Sequence, residues 1–242
     1  MSTGAVHSWD IATAVDGPGT RFVVFTAGCP LRCQYCQNPE TWHERDGQRT
    51  TVDELMAEVV KYRRFIEVAG GGVTVSGGEP LLQHEFVGEF LHRCKEVGLH
   101  TALDTSGFLG HHASDALLAD TDLVLLDIKS WDPSTYRRVT GEEIAPTLAF
   151  ARRLSDLGKP MWIRFVLVPG LTDDPDNVEG IAEFVATLDS VERVDVLPFH
   201  QMGKFKWEKL GMEYQMRDAQ TPSRETMEKI IARFSSAGLK AV

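Results

Sequence analysis

Residues 22 to 36 read Phe22-Val23-Val24-Phe25-Thr26-Ala27-Gly28-Cys29-Pro30-Leu31-Arg32-Cys33-Gln34-Tyr35-Cys36. The first four form a short apolar run that reads as a buried strand, and a cysteine-rich loop follows at once. The alternation then continues. Thr51-Val52-Asp53-Glu54 is a capping box. Leu55, Val59, Tyr62 and Ile66 recur behind it at helical spacing, so 51–68 reads as a helix that Gly70, Gly71 and Gly72 stop. Strand 73–76 leads into Gly77-Gly78-Glu79-Pro80, and a helix over 84–97 follows. Strand 99–104 runs into Thr105-Ser106-Gly107, and a short helix over 114–119 precedes strand 123–128. Helix 147–157 stops at Gly158, where a left-handed cap is expected. Strand 161–168, a helix from Asp174-Pro175 to about 188, strand 194–197 and a helix over 223–237 complete the chain.

Six strand–helix units in a row imply an α/β fold, a parallel sheet with right-handed crossovers. The expected architecture is an incomplete parallel (β/α)6 barrel, a partial TIM barrel, with a doubly wound open sheet as the alternative. The dinucleotide-binding version is disfavoured, because the first strand is followed by cysteines and not by G-x-G-x-x-G. With no linker or repeat, residues 1–242 read as one domain. The chemically unusual residues fall at or just past the C-terminal ends of successive strands: Cys29, Cys33 and Cys36; Gly77, Gly78 and Glu79; Asp104 and Thr105; Asp127 and Lys129; Arg164; His200. That edge is where parallel α/β folds bind ligands.

A net charge of −10 argues against nucleic acid as the main partner, and Lys204, Lys206 and Lys209 read as a solvated basic face. No apolar run approaches the roughly 20 residues of a membrane span, and the first residues lack the regions of a signal peptide. A cytoplasmic placement is expected. Three of the four cysteines are crowded into C-x3-C-x2-C, a poor disulfide framework. A closed structural metal site or an ordinary iron–sulfur cluster takes four protein ligands, so three thiols leave an open coordination position. The plainer alternative is structural zinc in a non-catalytic binding protein, with His43 as fourth ligand. Zinc patterns favour two C-x2-C pairs, however, and no second pair exists, while thiolates are the preferred ligands of iron–sulfur centres. Cys94, on the apolar face of its helix, reads as core.

Cys29-x3-Cys33-x2-Cys36, with Tyr35 before the last cysteine, resembles the radical S-adenosylmethionine superfamily, and Gly77-Gly78-Glu79-Pro80 matches that superfamily's second motif. Asp16-Gly17-Pro18-Gly19 and Asn38-Pro39-Glu40 narrow the resemblance to glycyl radical enzyme activating enzymes. Asp127-Ile128-Lys129, Trp162-Ile163-Arg164 and Leu197-Pro198-Phe199-His200-Gln201-Met202-Gly203 resemble the branch that activates pyruvate formate-lyase. Residues 37–76 hold no cysteine, so the ferredoxin-like insert of many related activases is absent.

The resemblance implies a [4Fe–4S] cluster on Cys29, Cys33 and Cys36, with S-adenosylmethionine as the missing ligand. Reductive cleavage would give a 5′-deoxyadenosyl radical that abstracts hydrogen from a glycine loop of pyruvate formate-lyase, in anaerobic glucose metabolism. It implies cofactor contacts from Tyr35, Gln37, Gly78, Asp127, Ile128, Lys129 and His200, with Lys129 also counted as catalytic. Asp16 and Arg164 are candidates for gripping the substrate peptide, unless Arg164 merely pairs with a carboxylate. Asp104 and Asp127 end neighbouring strands, and two carboxylates at one site need compensation, by a monovalent cation or by Lys129. A flavodoxin or ferredoxin is the implied electron donor, and a monomer is expected. The alternative partner is a different glycyl radical enzyme.

Overall fold

The computed structural model describes residues 2–242. Its strands are β1 (Thr3–Thr13), β2 (Thr20–Thr26), β3 (Gln48–Thr51), β4 (Gly72–Gly77), β5 (His100–Thr105), β6 (Leu123–Asp127), β7 (Met161–Leu167) and β8 (Val191–Pro198). Its helices are α1 (Val52–Val68), α2 (His84–Glu96), α3 (Asp115–Ala119), α4 (Pro133–Thr140), α5 (Ala145–Asp156), α6 (Pro175–Val185), α7 (Lys204–Lys209) and α8 (Arg224–Ser236). The hydrogen-bonded strand order β3-β1-β2-β4-β5-β6-β7-β8 begins and ends on different strands, so the sheet is open. The six expected strands are all present. The expectation omitted β1 and β3, which pair antiparallel at one edge. It also omitted α4 and α7, both shorter than three full turns.

The chain forms two compact units, residues 1–30 with 40–125, and residues 31–39 with 126–242. In the first, β2 pairs parallel with β4 and β4 with β5. Phe22, Val24, Val73, Val75 and Leu103 are buried in these strands, and Leu55, Val59, Phe90 and Leu91 in the helices. Cys94 is buried among them, its sulfur 3.7 Å from that of Met56, as a core residue should be. The expected capping box of α1 is present: Glu54 N–H donates to Thr51 Oγ1 at 3.2 Å, and Thr51 N–H to Glu54 Oε2 at 2.8 Å. In the second unit β7 and β8 run parallel. Met161, Ile163, Phe165 and Leu167 are buried while Trp162, Arg164 and Val166 are part-exposed, the two-residue period of a strand. Asp174 caps α6 with Pro175 at its first position. Among the described residues, no helix is long and apolar enough to cross a membrane.

Candidate functional site

In the first unit, β2 ends in a backbone clasp around Gly28. Gly28 N–H donates to Thr41 O at 2.7 Å, Cys29 N–H to Trp42 O at 3.1 Å, and Glu79 N–H to Gly28 O at 2.8 Å. Gly78 N–H donates to Thr26 O at 2.8 Å. A β-carbon on Gly78 would lie 2.3 Å from the Gly28 carbonyl oxygen. The glycine is therefore required first by the backbone that leads into Cys29, a reason the sequence reading did not give.

Glu79 is buried and collects four donors: Thr105 Oγ1 at 2.6 Å, Ser106 Oγ at 2.5 Å, Ser106 N–H at 3.0 Å and Leu81 N–H at 3.2 Å. Burial still pushes its carboxyl up, against the downward pull of those bonds. A carboxyl raised on folding stabilises fully below its unfolded value of about 4.3, and that contribution fades as pH rises through the folded value. Glu79→Gln removes the titration and leaves one backbone N–H facing an amide that cannot accept. The variant should be about 1–2 kcal/mol less stable at pH 4, with the gap shrinking towards pH 8. Parallel melting-temperature curves for parent and variant across that range would show the assignment to be wrong.

Asp104 accepts from Ser76 Oγ at 2.6 Å. The Asp16 loop rests on a residue the sequence reading passed over. Arg21 is fully buried, its Nε 2.6 Å from Thr74 Oγ1, which in turn donates to Asp16 O at 2.7 Å. Its Nη1 lies 3.2 Å from His100 Nδ1. Burial lowers the guanidinium to about 10, with Asp122 and Asp16 acting in the opposite direction. His43 is exposed.

The second unit holds Cys33 and Cys36, whose loop is sewn down by main-chain bonds. Arg32 N–H donates to Thr140 O at 2.7 Å and Gln34 N–H to Val139 O at 2.9 Å, both at the end of α4, and Cys36 N–H closes a turn on Cys33 O at 3.1 Å. Gln37 bridges to the segment after β8, its Nε2 donating to His200 O at 3.1 Å and its Oε1 accepting from Gly203 N–H at 2.8 Å. Lys206 Nζ reaches Asn38 Oδ1 at 2.8 Å, and Trp207 Nε1 donates to Cys36 O at 2.9 Å. Lys206 is thus not simply a solvated charge.

Asp127 and Lys129 form an ion pair at 2.9 Å, with 24% and 12% of their side chains exposed. Lys129 thus supplies one of the two expected ways to compensate Asp127. Burial would lower the Lys129 ammonium, but Asp127, then Cys33 and Tyr35, outweigh it and hold the group well above its ordinary value. Burial pushes the Cys33 thiol up, with Lys129 working against it. Tyr35 is buried and its hydroxyl has no hydrogen-bond partner; burial drives that hydroxyl up as well. Ile128 is fully buried, its N–H bonded to Arg164 O at 3.0 Å. His200 is exposed, its Nδ1 accepting from Met202 N–H at 3.4 Å. Lys129→Met strands the Asp127 carboxylate. Because part of Asp127 still reaches water, the expected loss is about 2 kcal/mol, below the usual cost of breaking a buried pair. The melting temperature should fall by about 4–8 °C, and Asp127→Asn in the same chain should restore part of it. Equal melting of parent and single variant would remove the pair from the account of stability.

None of the four cysteines is in a disulfide, and Cys29, Cys33 and Cys36 are all part-exposed. Among the described residues, no three His, Cys, Asp or Glu side chains are already drawn together as a metal-binding group.

The chain matches the Radical SAM superfamily over residues 23–185. Pyruvate formate-lyase 1-activating enzyme of Escherichia coli (strain K12) is 42% identical over 241 residues, covering 99% of this chain and 98% of that one. Pyruvate formate-lyase-activating enzyme of Staphylococcus aureus (strain USA300) is 45% identical over 235 residues, covering 94% of each. A crystal structure of a domain of pyruvate-formate lyase-activating enzyme from Bacteroides vulgatus superposes with a TM-score of 0.61 at 32% identity. It covers 71% of this chain and 98% of that one. A radical SAM methyltransferase from Sphaerobacter thermophilus shares the fold, with a TM-score of 0.66 at 19% identity over 96% of this chain and 71% of that one.

Proposed function

The chain belongs to the Radical SAM superfamily, and from that premise we propose that it activates pyruvate formate-lyase by installing a glycyl radical. The observation that carries the reading is identity of 42% and 45%, over nearly the whole chain, to two enzymes that bear that name.

The donor set fits an iron–sulfur cluster. Three cysteines stand within eight residues of chain, none is tied up in a disulfide, and thiolates are the ligands such clusters use. In this reading Cys29, Cys33 and Cys36 hold a [4Fe–4S] cluster and leave one iron for S-adenosylmethionine. Bound there, the pair supplies reductive cleavage of the sulfonium and the radical chemistry that removes hydrogen from a backbone glycine of the partner. Glycine suits this role because, lacking Cβ, its loop can thread close to the reacting centre.

The chain's own residues position and shield, as protein does around a cofactor. The bonds to Val139, Thr140, His200, Gly203 and Trp207 fix the loop that carries Cys33 and Cys36. Tyr35, Gln37, Gly78, Asp127, Ile128, Lys129 and His200 are proposed to contact S-adenosylmethionine. Asp16, placed by Arg21 and Thr74, and Arg164 are proposed to hold the substrate peptide, and a monovalent cation is proposed at Asp104 and Asp127. Residues 1–242 would act as one catalytic domain, as a monomer in the cytoplasm, with a flavodoxin or ferredoxin as electron donor.

The test is anaerobic reconstitution followed by mixing with reductant, S-adenosylmethionine and pyruvate formate-lyase. About four irons and four sulfides per chain and a glycyl radical signal by electron paramagnetic resonance are expected. Methionine formed without that signal would assign a different substrate. Stable zinc with no iron would overturn the catalytic reading altogether.

A further inference from the structure

Around α7 stand apolar and basic side chains to which no role has been assigned above. The segment 200–211 carries Met202, Phe205 and Leu210 with 74%, 61% and 44% of their surface exposed, beside Lys204, Lys206 and Lys209 on α7. Exposed large apolar side chains occur elsewhere too, as at Phe65 and Val68 of α1, but here Met202 and Phe205 stand three residues apart beside basic side chains, and Met and aromatic residues are enriched at protein interfaces. The charge is the anomaly. Three lysines in six residues, offset only by Glu208, stand out on a chain whose net charge is −10. The patch is also wired inward. Trp207, on the buried side of the same helix, donates its indole N–H to the carbonyl of Cys36 at 2.9 Å and packs against Tyr214 with 5.3 Å between ring centroids. Lys206 holds Asn38, two residues past that cysteine. The helix is thus one hydrogen bond from the peptide of a proposed cluster ligand.

We propose that α7 and its flanks are the docking face for an acidic one-electron carrier protein, and that the Trp207–Cys36 contact lies beneath the point of electron entry. This rests on the proposed function. In the step itself the reduced carrier loses one electron, the thiolate-held cluster gains it, and no bond or proton moves. Opposite charge steers the encounter while the bare Met202 and Phe205 give a small apolar contact suited to rapid release. An acidic partner is specified because α7 carries three lysines against one glutamate on a chain that is acidic as a whole, so opposite charge favours encounters at this segment.

The test compares parent with Lys204→Glu/Lys209→Glu, and separately with Phe205→Ala; all three side chains lie outside the proposed catalytic set. Affinity for oxidised flavodoxin, and in parallel for oxidised ferredoxin, is measured by calorimetry at two salt concentrations. The charge-reversed variant should bind at least one of them about tenfold or more weakly than the parent and lose most of the parent's salt dependence. Phe205→Ala should weaken the same carrier without changing the salt dependence. S-adenosylmethionine cleavage driven by a small chemical reductant should be unchanged in both variants, and cleavage driven by the reduced carrier should fall with affinity. Unchanged affinity for both carriers overturns the docking face. So does an equal loss with chemical and protein reductants, which would mean damage to the fold. A defect confined to glycyl radical formation, with carrier affinity intact, would instead hand the surface to the protein substrate and overturn the proposal. If the parent cleaves nothing with the chemical reductant, the proposed function fails first and this role falls with it.

Discussion

Cys36→Ala is expected to leave reconstituted protein without a stable cluster and to lower glycyl radical formation more than about a thousandfold, over 4 kcal/mol in the barrier. The size of the loss follows from the lack of a substitute. The only other cysteine, Cys94, is buried against Met56, and burial drives its thiol up, whereas a ligand must be an accessible thiolate. The loop should survive the change, because its anchors are main-chain groups. Trp207 bonds the Cys36 carbonyl, and Arg32 and Gln34 bond the end of α4. The expected signature is therefore loss of iron with an almost unchanged melting temperature of the metal-free protein. Cys94→Ala should show the converse: iron retained, and stability reduced by about 1–2 kcal/mol through a core cavity. Full iron in Cys36→Ala would remove this residue from the ligand set.

What could be read beforehand was whatever is encoded in neighbouring residues. The six buried strands announce themselves as apolar runs, and the cap at Thr51 and the start at Asp174-Pro175 are local chemistry, so they stand where the sequence puts them. Strand β1 was illegible for the opposite reason. Apart from Gly4, Ala5 and Val6 its residues are at least part-exposed, and it is a strand because its backbone pairs with β2 on one side and β3 on the other. No pattern within Thr3–Thr13 reports that partnership. Arg21 is a similar case. It precedes an apolar run like any strand-flanking cation, and its burial depends on Thr74 and His100, more than fifty residues away.

The lysines of α7 read as a solvated face because helical spacing cannot show that Trp207 and Lys206 bond to Cys36 and Asn38, about 170 residues earlier in the chain. The motif residues fall between these extremes. Gly78 and Glu79 were picked out, yet neither turns out to be explained by the ligand alone. Glu79 spends its carboxylate on Thr105, Ser106 and Leu81, so its first task is to join the loop after β4 to the loop after β5.

Gly78→Ala should therefore be a severely damaging single-methyl change beside the proposed site. Its β-carbon would come 2.3 Å from the Gly28 carbonyl oxygen and 2.9 Å from that of Thr41, and relief takes a shift of about an ångström in a packed backbone. Neither side can yield without loss. Moving Gly28 breaks its bonds to Thr41 and Glu79 and carries Cys29 with it. Moving Gly78 breaks its bond to Thr26 and pulls on Glu79. The combined overpacking and lost hydrogen bonds amount to about 3 kcal/mol or more, which lowers the melting temperature by roughly 6–12 °C. Gly88→Ala is the control: in α2, its β-carbon would meet Leu117 at an ordinary 3.7 Å, and helix propensity makes it neutral to stabilising.

Iron content then separates two meanings of the glycine. If strain is passed to Cys29, Gly78→Ala should bind less iron even at temperatures where it is fully folded, and the deficit should exceed that of a variant comparably destabilised elsewhere, such as Phe234→Ala in the core of α8. Normal loading in a destabilised Gly78→Ala would confine the residue to a packing role in the turn. Parent-like melting with normal loading would contradict the close approach itself.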